Sequence, residues 1–423
     1  MSINMGTSVQ LFARAPQDAY LTTPPEVSFF APEWKRHTPF ASETKEEQFF
    51  TGFGFGMTPA RASVSRDGDL LGDLTLQITL PVVRNSAGVV LSSTLTWRDS
   101  VGYLLLRRAR LRIGETLVHD QERLWYHISD ALFMPHGRKA AVDAMIGRGV
   151  SLSVDREHTL FVPLKFLCCK DHRDAQTYLP LAGLTGVPIS VELELESFEK
   201  CVTQAVLDAG GVEPFDNLQV VPNRLGLRAT LLCDYVRLDT PEQNVFLRDG
   251  EQTLQFEQVQ DMEAPAFVAN SSGTTMILPA VKVDLSELNI PTKLLVAVVY
   301  DTVTGTPFVF ETDAIVNMHL EFNARERFEA RPSGYFQLQQ RYDYLGGVGR
   351  PALDGIHAYS FALDASRMQA SGSVNFSALE LPLLRATLNT DVVSAGTRFV
   401  VKVFSVSYNW LVCKQGAAQL KYV

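Results

Sequence analysis

"RDGDLLGDLTLQITLP", Arg66 to Pro81, carries two patterns that point to different chemistry. Asp67, Asp69 and Asp73 crowd together as metal-binding or acid–base carboxylates do. Directly after them Leu74, Leu76, Ile78 and Leu80 alternate with Thr75, Gln77 and Thr79, the period of a half-buried strand. A calcium loop of the EF type needs further ligands and a Glu at its twelfth position, and neither follows. Turn chemistry accounts for the acids instead. Asp67-Gly68 supplies a positive-φ position, and Asp69 can accept backbone N–H groups or pair with Arg66. The expectation is a structural turn built on Arg66, Gly68 and Asp69 that launches a strand.

The same period recurs along the chain. Leu160, Val162, Leu164 and Phe166 form one such face. Val191, Leu193 and Leu195 alternate with Glu192, Glu194 and Glu196, and Met318, Leu320 and Phe322 with Asn317, His319 and Glu321. "LLVAVVY" from Leu294 reads as a strand buried on both faces. "RFVVKVFSVSYNWLV" is apolar on both faces apart from Lys402 and reads as a central strand. Short strands between Gly, Pro, Asn and Asp turns predict β-sandwiches rather than alternating βα units. Helical periodicity is confined to "DQERLWYHISDALFM", with Leu124, Ile128, Ala131 and Leu132 on one face and Asp120 as cap, and to "GRKAAVDAMIGRG". Both fall in the first half as a short helical insertion.

A chain of 423 residues with 46% hydrophobic content supports two domains with sizeable cores. Val202 to Leu225, "VTQAVLDAGGVEPFDNLQVVPNRL", has a Gly pair, two prolines and no sustained period, and is the natural linker. The expected organisation is an N-terminal arm over 1–26, strand-rich halves over 27–201 and 226–423, and a linker over 202–225.

A formal charge of −9 argues against coating a phosphate backbone, so no direct nucleic-acid contact is expected. Arg107, Arg108, Arg110 and Arg112 are the densest basic group, and from Arg108 they fall at period two, as on one solvated strand face. Five cysteines, with Cys168 and Cys169 adjacent, suit buried free thiols in a reducing compartment better than a disulfide framework. The start shows no basic residue run into an apolar one, and no segment reaches the roughly 18 apolar residues of a spanning helix. A soluble protein made in the cytosol is expected.

Motifs that carry chemistry are missing. "GFGFGM", Gly52 to Met57, is followed by Pro59 and a strand-like run rather than a helix, so a packed strand is expected there, not a phosphate loop. His119, His127 and His136 match no zinc spacing, and there is no His-Glu-x-x-His or Gly-x-Ser-x-Gly. Cys168 and His172 are close in sequence, which says little about a catalytic pair. No catalytic, cofactor-binding or metal residue is assigned, and no enzyme is expected.

With these readings in place, "FFAPEWKRHTPFASE" (Phe29 to Glu43) followed by "SRDGDLLGDLTLQITLP" resembles the opening of the major capsid proteins of nucleocytoplasmic large DNA viruses, the iridovirus and phycodnavirus lineages. The likeness continues in order through "WRDSVGYLLLRRARLRIGE", "LFVPLKF", "LPLAGL" and "DYVRLDTPEQNVF". "GIHAYSFALDASRMQASGSVNFS" (Gly355 to Ser377) matches most closely, and "VFSVSYNWLVCKQGAAQLKY" resembles the closing strand. Three departures concern local geometry. Glu115 stands where a second Gly is usual after Ile113-Gly114, Ala324-Arg325 where the family has Asn-Gly, and Trp34 where Tyr is common.

The resemblance implies an all-β chain of two tandem eight-stranded jelly rolls, over 27–201 and 226–423, with the helical insertion in the first. It implies pseudo-hexagonal homotrimeric capsomers that tile an icosahedral virion shell and are assembled in the host cytoplasm. Minor capsid and penton proteins, and an internal viral membrane, are the implied partners, with the polar arm as a base element. No cofactor is implied. Sequons fall at Asn270 and Asn375; Asn270, in a polar loop, is the candidate glycan acceptor, and Asn375 reads as a turn residue. Two other classes share the architecture: a lectin-like carbohydrate-binding sandwich, which wants exposed aromatics beside a shallow groove, and a cupin-type enzyme, which wants clustered metal ligands. A minor capsid protein is the nearer alternative.

Overall fold

The computed structural model describes residues 5–30, 34–50, 52–57, 59–83, 95–170, 177–204, 226–248, 251–264, 267–268, 281–301, 310, 314–346, 353–389, 398–414 and 416–422. The chain divides into two units, Met1–Pro39 and Phe40–Val423. The first holds the helix α1 (Met5–Phe12), and its side chains Phe12, Tyr20, Phe29, Phe30 and Trp34 are exposed. The expected arm over 1–26 lies within this longer unit.

Sixteen of the strands described in the second unit build two sandwiches. The first eight are β1 (Phe40–Gln48), β2 (Ala60–Val64), β3 (Leu70–Leu80), β4 (Leu106–Ile113), β5 (Thr116–Glu122), β6 (His158–Pro163), β7 (Ile189–Leu195) and β8 (Arg228–Leu238). They pair antiparallel in two sheets, β1-β8-β3-β6 and β2-β7-β4-β5. The other eight are β9 (Glu251–Glu263), β10 (Val281–Asp284), β11 (Thr292–Asp301), β12 (Ile315–Phe322), β13 (Arg325–Glu326), β14 (His357–Ser360), β15 (Leu383–Leu388) and β16 (Arg398–Lys414). They repeat the arrangement as β9-β16-β11-β14 and β10-β15-β12-β13. In each sandwich the last strand returns to lie between the first and the third, which is the order of a jelly roll.

That return strand moves the joint between the halves. β8 follows the 202–225 stretch, yet it pairs with β1 from Phe40↔Leu238 to Gln48↔Thr230, and with β3 on its other side. The first sandwich therefore ends at Leu238, not before 202. The stretch expected as a linker opens with a short strand, Val202–Gln204, and its remainder lies outside the described residues. The reason is topological: a jelly roll's final strand needs the first strand as neighbour, and no local pattern in the sequence announces that partner.

The alternation of β3 works as read. Leu74, Leu76, Ile78 and Leu80 are buried in the first core, and Thr75, Gln77 and Thr79 are half-exposed on the other face. The two helices of the insertion are α2 (Arg123–Phe133) and α3 (His136–Ile146). Asp120 is no cap: it lies in β5, where its carboxylate takes Arg108 and Arg110. "GFGFGM" forms a turn rather than a strand, with Gly56 at φ 60° and Phe55 buried against Trp97 and Phe198.

α2 explains why two later strands are apolar on both faces. Leu295, Ala297 and Val299 of β11 point into the second core. Leu294, Val296 and Val298 point the other way, into a third core shared with Leu124, Trp125, Ile128 and Leu132 of α2. β16 serves all three cores: Val401 and Val403 in the second, Phe404 and Val406 in the third, Leu411 and Cys413 in the first. The sandwiches are fused through apolar packing within one compact unit.

Two hairpins answer the departures in the sequence. The β4–β5 turn closes between Ile113 and Thr116, and Gly114 is its positive-φ residue at 60°. Glu115 is not in that region, so a Gly-x turn serves and a second glycine is not needed. The β12–β13 turn closes between Phe322 and Arg325, with both Asn323 (φ 52°) and Ala324 (φ 58°) left-handed. Ala324 carries strain of roughly 1 kcal/mol there. Ala324→Gly is expected to stabilise by about 0.5 kcal/mol, since strain relief exceeds the added freedom of the unfolded chain. A urea midpoint that stays put or falls would contradict this.

Candidate functional site

The functional geometry of this chain is the joint between the sandwiches, and Arg66 to Asp69 sits at it. α4 (Thr240–Arg248) follows β8 directly and begins the passage to the second sandwich. Asp69 holds both. Its Oδ2 accepts the backbone N–H of Leu238 at 2.8 Å, and its Oδ1 accepts Gln243 Nε2 of α4 at 2.8 Å. Its own backbone continues the tie: the N–H donates to Val236 O at 2.9 Å, and the carbonyl accepts from Leu181 N–H at 2.8 Å.

Arg66 turns away from Asp69. Its guanidinium donates to the carbonyls of Leu184 (2.8 Å), Thr185 (2.6 Å) and Val187, the end of a short helical turn over Ala182–Leu184. The Leu184 carbonyl takes only a long bond from Val187 N–H at 3.5 Å, and the cation adds charged donors to all three carbonyls. Gly68 differs from its expected role. It does not adopt positive φ; a Cβ there would stand 2.9 Å from Tyr235 Cβ and 3.1 Å from Val236 O. It is glycine because β8 passes too close for a side chain. Asp67 pairs with Lys45 at 2.9 Å, which holds its carboxyl below the ordinary range, and Asp73 accepts the N–H of Lys170 at 2.5 Å. The three acids thus have three different structural partners.

Asp69→Ala removes a charged acceptor from two donors and is expected to destabilise by about 2–3 kcal/mol. Asp69→Asn keeps one acceptor oxygen and should lose about half of that. Chemical denaturation checks both; equal losses for the two variants would show that the acceptor is not the cause.

Three cations are buried on the second sandwich's side, and two of them, Lys402 and Arg341, reach across the joint. Lys402 of β16, with 5% of its side chain exposed, reaches Glu122 at the end of β5, Asp261 at 2.9 Å and Glu263 at 3.7 Å. Burial alone would lower its pKa, but the carboxylates of Glu122 and Asp261 outweigh it and keep the ammonium charged. Lys293, fully buried, meets Glu257 and donates to Arg367 O at 3.1 Å, with the Tyr408 ring 5.5 Å from its nitrogen. Arg341 grips Asp354 through two nitrogens (2.8 and 3.1 Å) and reaches Ala131 O of α2. Lys402 stood out in sequence as one charge in an apolar strand; nothing there named Glu122 as its partner.

The arginine row of β4 is a cross-strand ladder. Arg110 binds Glu194 at 2.6 Å, Arg112 binds Glu192 at 3.2 Å, and Arg61 of β2 meets Glu192 from the other side. Glu192 and Glu194 of β7 and Asp120 of β5 neutralise the row from Arg108 within its own sheet.

The remaining candidates are separate. His119 and His357 are buried and His127 is half-buried; desolvation depresses their pKa values to about 3, 4 and 4, and the Arg148 guanidinium lowers that of His127 further. His119 Nε2 accepts Leu167 N–H, while His127 Nδ1 faces the Arg148 guanidinium. Among the described residues no group of three or more His, Cys, Asp or Glu could hold a metal ion. All five cysteines are free, and burial pushes the Cys201 thiol up to about 12 and Cys413 up to about 11. Asn375 accepts the N–H of Ser377 at 3.1 Å and its hydroxyl at 2.7 Å in a turn. Asn270, the candidate glycan acceptor, lies outside the described residues. No helix among the described residues is long and apolar enough to cross a membrane.

Comparison with known proteins gives these observations a family. Residues 28–239 match the model of the major capsid protein N-terminus, and residues 253–419 that of the large eukaryotic DNA virus major capsid protein. The first model ends one residue after β8. A major capsid protein of Pyramimonas orientalis virus is 29% identical over 99% of both chains, and that of Paramecium bursaria Chlorella virus 1 is 25% identical over 98% of both. The solved structure of PBCV-1 VP54 superposes with a TM-score of 0.74 at 22% identity, covering 94% of this chain and all of that one. The Faustovirus major capsid protein gives 0.69 at 11% identity, over 97% and 96%. The fold is the double jelly roll, and the chain belongs to the major capsid proteins of large eukaryotic DNA viruses.

Proposed function

We propose that this chain is the shell-forming subunit of an icosahedral virion, working as a homotrimer of pseudo-hexagonal outline. The observation that carries it is the repeat of one eight-stranded sandwich within the Phe40–Val423 unit. Three copies then present six similar sandwiches, so a three-fold object meets six neighbours. The third core around α2 and the buried Lys402–Glu122 contact hold the two sandwiches at one fixed angle, which a lattice element requires. Contacts within such a trimer would be rotationally closed and bury on the order of thousands of Å². Contacts between trimers would be smaller and more polar.

Minor capsid and penton proteins, and an internal membrane, are the further partners in this reading, with assembly in the host cytoplasm. The exposed aromatic side chains of the Met1–Pro39 unit support a role for that unit in contacts with them. The chain's role is structural rather than enzymatic. Projection images of the purified protein test the reading: six-sided particles with three-fold symmetry are expected, and elongated single-subunit particles would overturn it.

A further inference from the structure

A cavity of about 650 Å³ opens on the outer face of the β1-β8-β3-β6 sheet, beside the loop that leaves β1. Its floor follows from strand register. Gln48 stands opposite Thr230, and Thr230 opposite Gln77. In the next row Arg228 stands opposite Thr79, and Thr79 opposite Thr159. Period two places all of them on one face, because Leu76, Ile78 and Leu231 fill the core on the other. The side wall is aromatic: the rings of Phe49 and Phe53 are 5.1 Å apart, and Phe50 is 76% exposed.

The charges in this groove cancel. Arg228 donates to both carboxylate oxygens of Glu157, at 3.0 and 2.9 Å. Around that pair, the side chains of Gln48, Gln77, Thr79, Thr159 and Thr230 make no hydrogen bond among the described residues. Each is an amide or a hydroxyl that can both donate and accept. A volume of 650 Å³ lies within the roughly 300–1,000 Å³ of small-molecule sites.

From this we propose that the groove is a binding site for an uncharged oligosaccharide. A pyranose presents an apolar C–H face, which suits the exposed Phe50 ring, and a rim of hydroxyls that donate and accept, which suits the uncommitted amides and threonines. The neutralised Glu157–Arg228 pair offers oxygens and nitrogens to hydroxyls without selecting a charged ligand. An anionic polysaccharide or nucleic acid would need unpaired cations here, and the guanidinium of Arg228 is already bound.

Saturation-transfer NMR on the full-length protein, in the oligomeric state in which it purifies, tests this with four probes: maltotriose, cellotriose, mannotriose and chitotriose. At least one is expected to receive transfer at its ring C–H protons, and to bind equally well at low and high salt. Phe50→Ala and Gln77→Ala, both surface changes, should each weaken that binding about tenfold without altering the melting temperature. Transfer to none of the four would overturn the proposal. So would binding that survives both substitutions, or a change of solution mass in Gln77→Ala, which would assign the groove to a second copy of the chain.

Discussion

Acidification from about pH 7.5 to about pH 5 is expected to remove about 6 kcal/mol of folding stability through His119, His127 and His357 alone. His119, His127 and His357 titrate near 3, 4 and 4 when folded, and near 6.5 when exposed. Below 6.5 the unfolded chain binds protons that the folded chain refuses, so stability falls as the pH drops. The loss continues until the folded values are reached. Each histidine contributes about 2 kcal/mol by pH 5, and the total is comparable with the whole stability of a typical domain.

Burial sets the sign in each case. Burial keeps His357 neutral against the Gly355 carbonyl at Nδ1, which favours the proton, while Nε2 lies between Ser333 Oγ and the Gln337 amide. His127 cannot take a proton beside the Arg148 guanidinium without repulsion. Urea unfolding across this pH range is the check. His357→Gln should flatten the dependence by about 2 kcal/mol, because Gln does not titrate. A midpoint independent of pH between 7.5 and 5 would contradict the burial of these rings.

Lys402→Met is expected to lower stability by about 3–5 kcal/mol near neutral pH, although methionine fills a similar volume. The loss would come from the partners left behind. Glu122 and Asp261 face the buried Lys402 from half-buried positions, and without the ammonium their charges lose that counterpart. The double variant Lys402→Met with Glu122→Gln separates this from lost packing. If uncompensated charge is the cause, the second change restores a substantial part of the stability, giving a coupling energy above about 1 kcal/mol. If the two losses simply add, the joint is held by apolar contacts and the Lys402 cluster is incidental to it.

Much of this fold is legible along the strands and little of it across them. Leu74 to Leu80 reads as a half-buried strand because each residue's neighbours two positions away share its face. "LLVAVVY" reads as buried on both faces for the same reason. What covers the second face was not legible, because α2 lies about 170 residues earlier and its apolar stripe is equally consistent with any core. β8 went unrecognised as the closing strand of the first sandwich because its partners, β1 and β3, are distant in sequence. The site divides in the same way. Asp69 could be recognised as an acceptor from its type and its turn, whereas Gln243 and Leu238 as its donors depend on topology. Asp67-Gly68 reads as a turn in the sequence, whereas the reason for Gly68 is the passage of Tyr235, a tertiary contact. The arginine row from Arg108 was seen as a face, but its partners on β7 required the register.

The light-scattering mass of the purified protein behind a sizing column tests the capsomer most directly. A single species of three subunits that persists on hundredfold dilution is the predicted result, because an obligate interface of this kind does not dissociate at micromolar concentration. A folded monomer at the same concentrations would contradict it and leave two fused sandwiches without the three-fold partner that the shell requires.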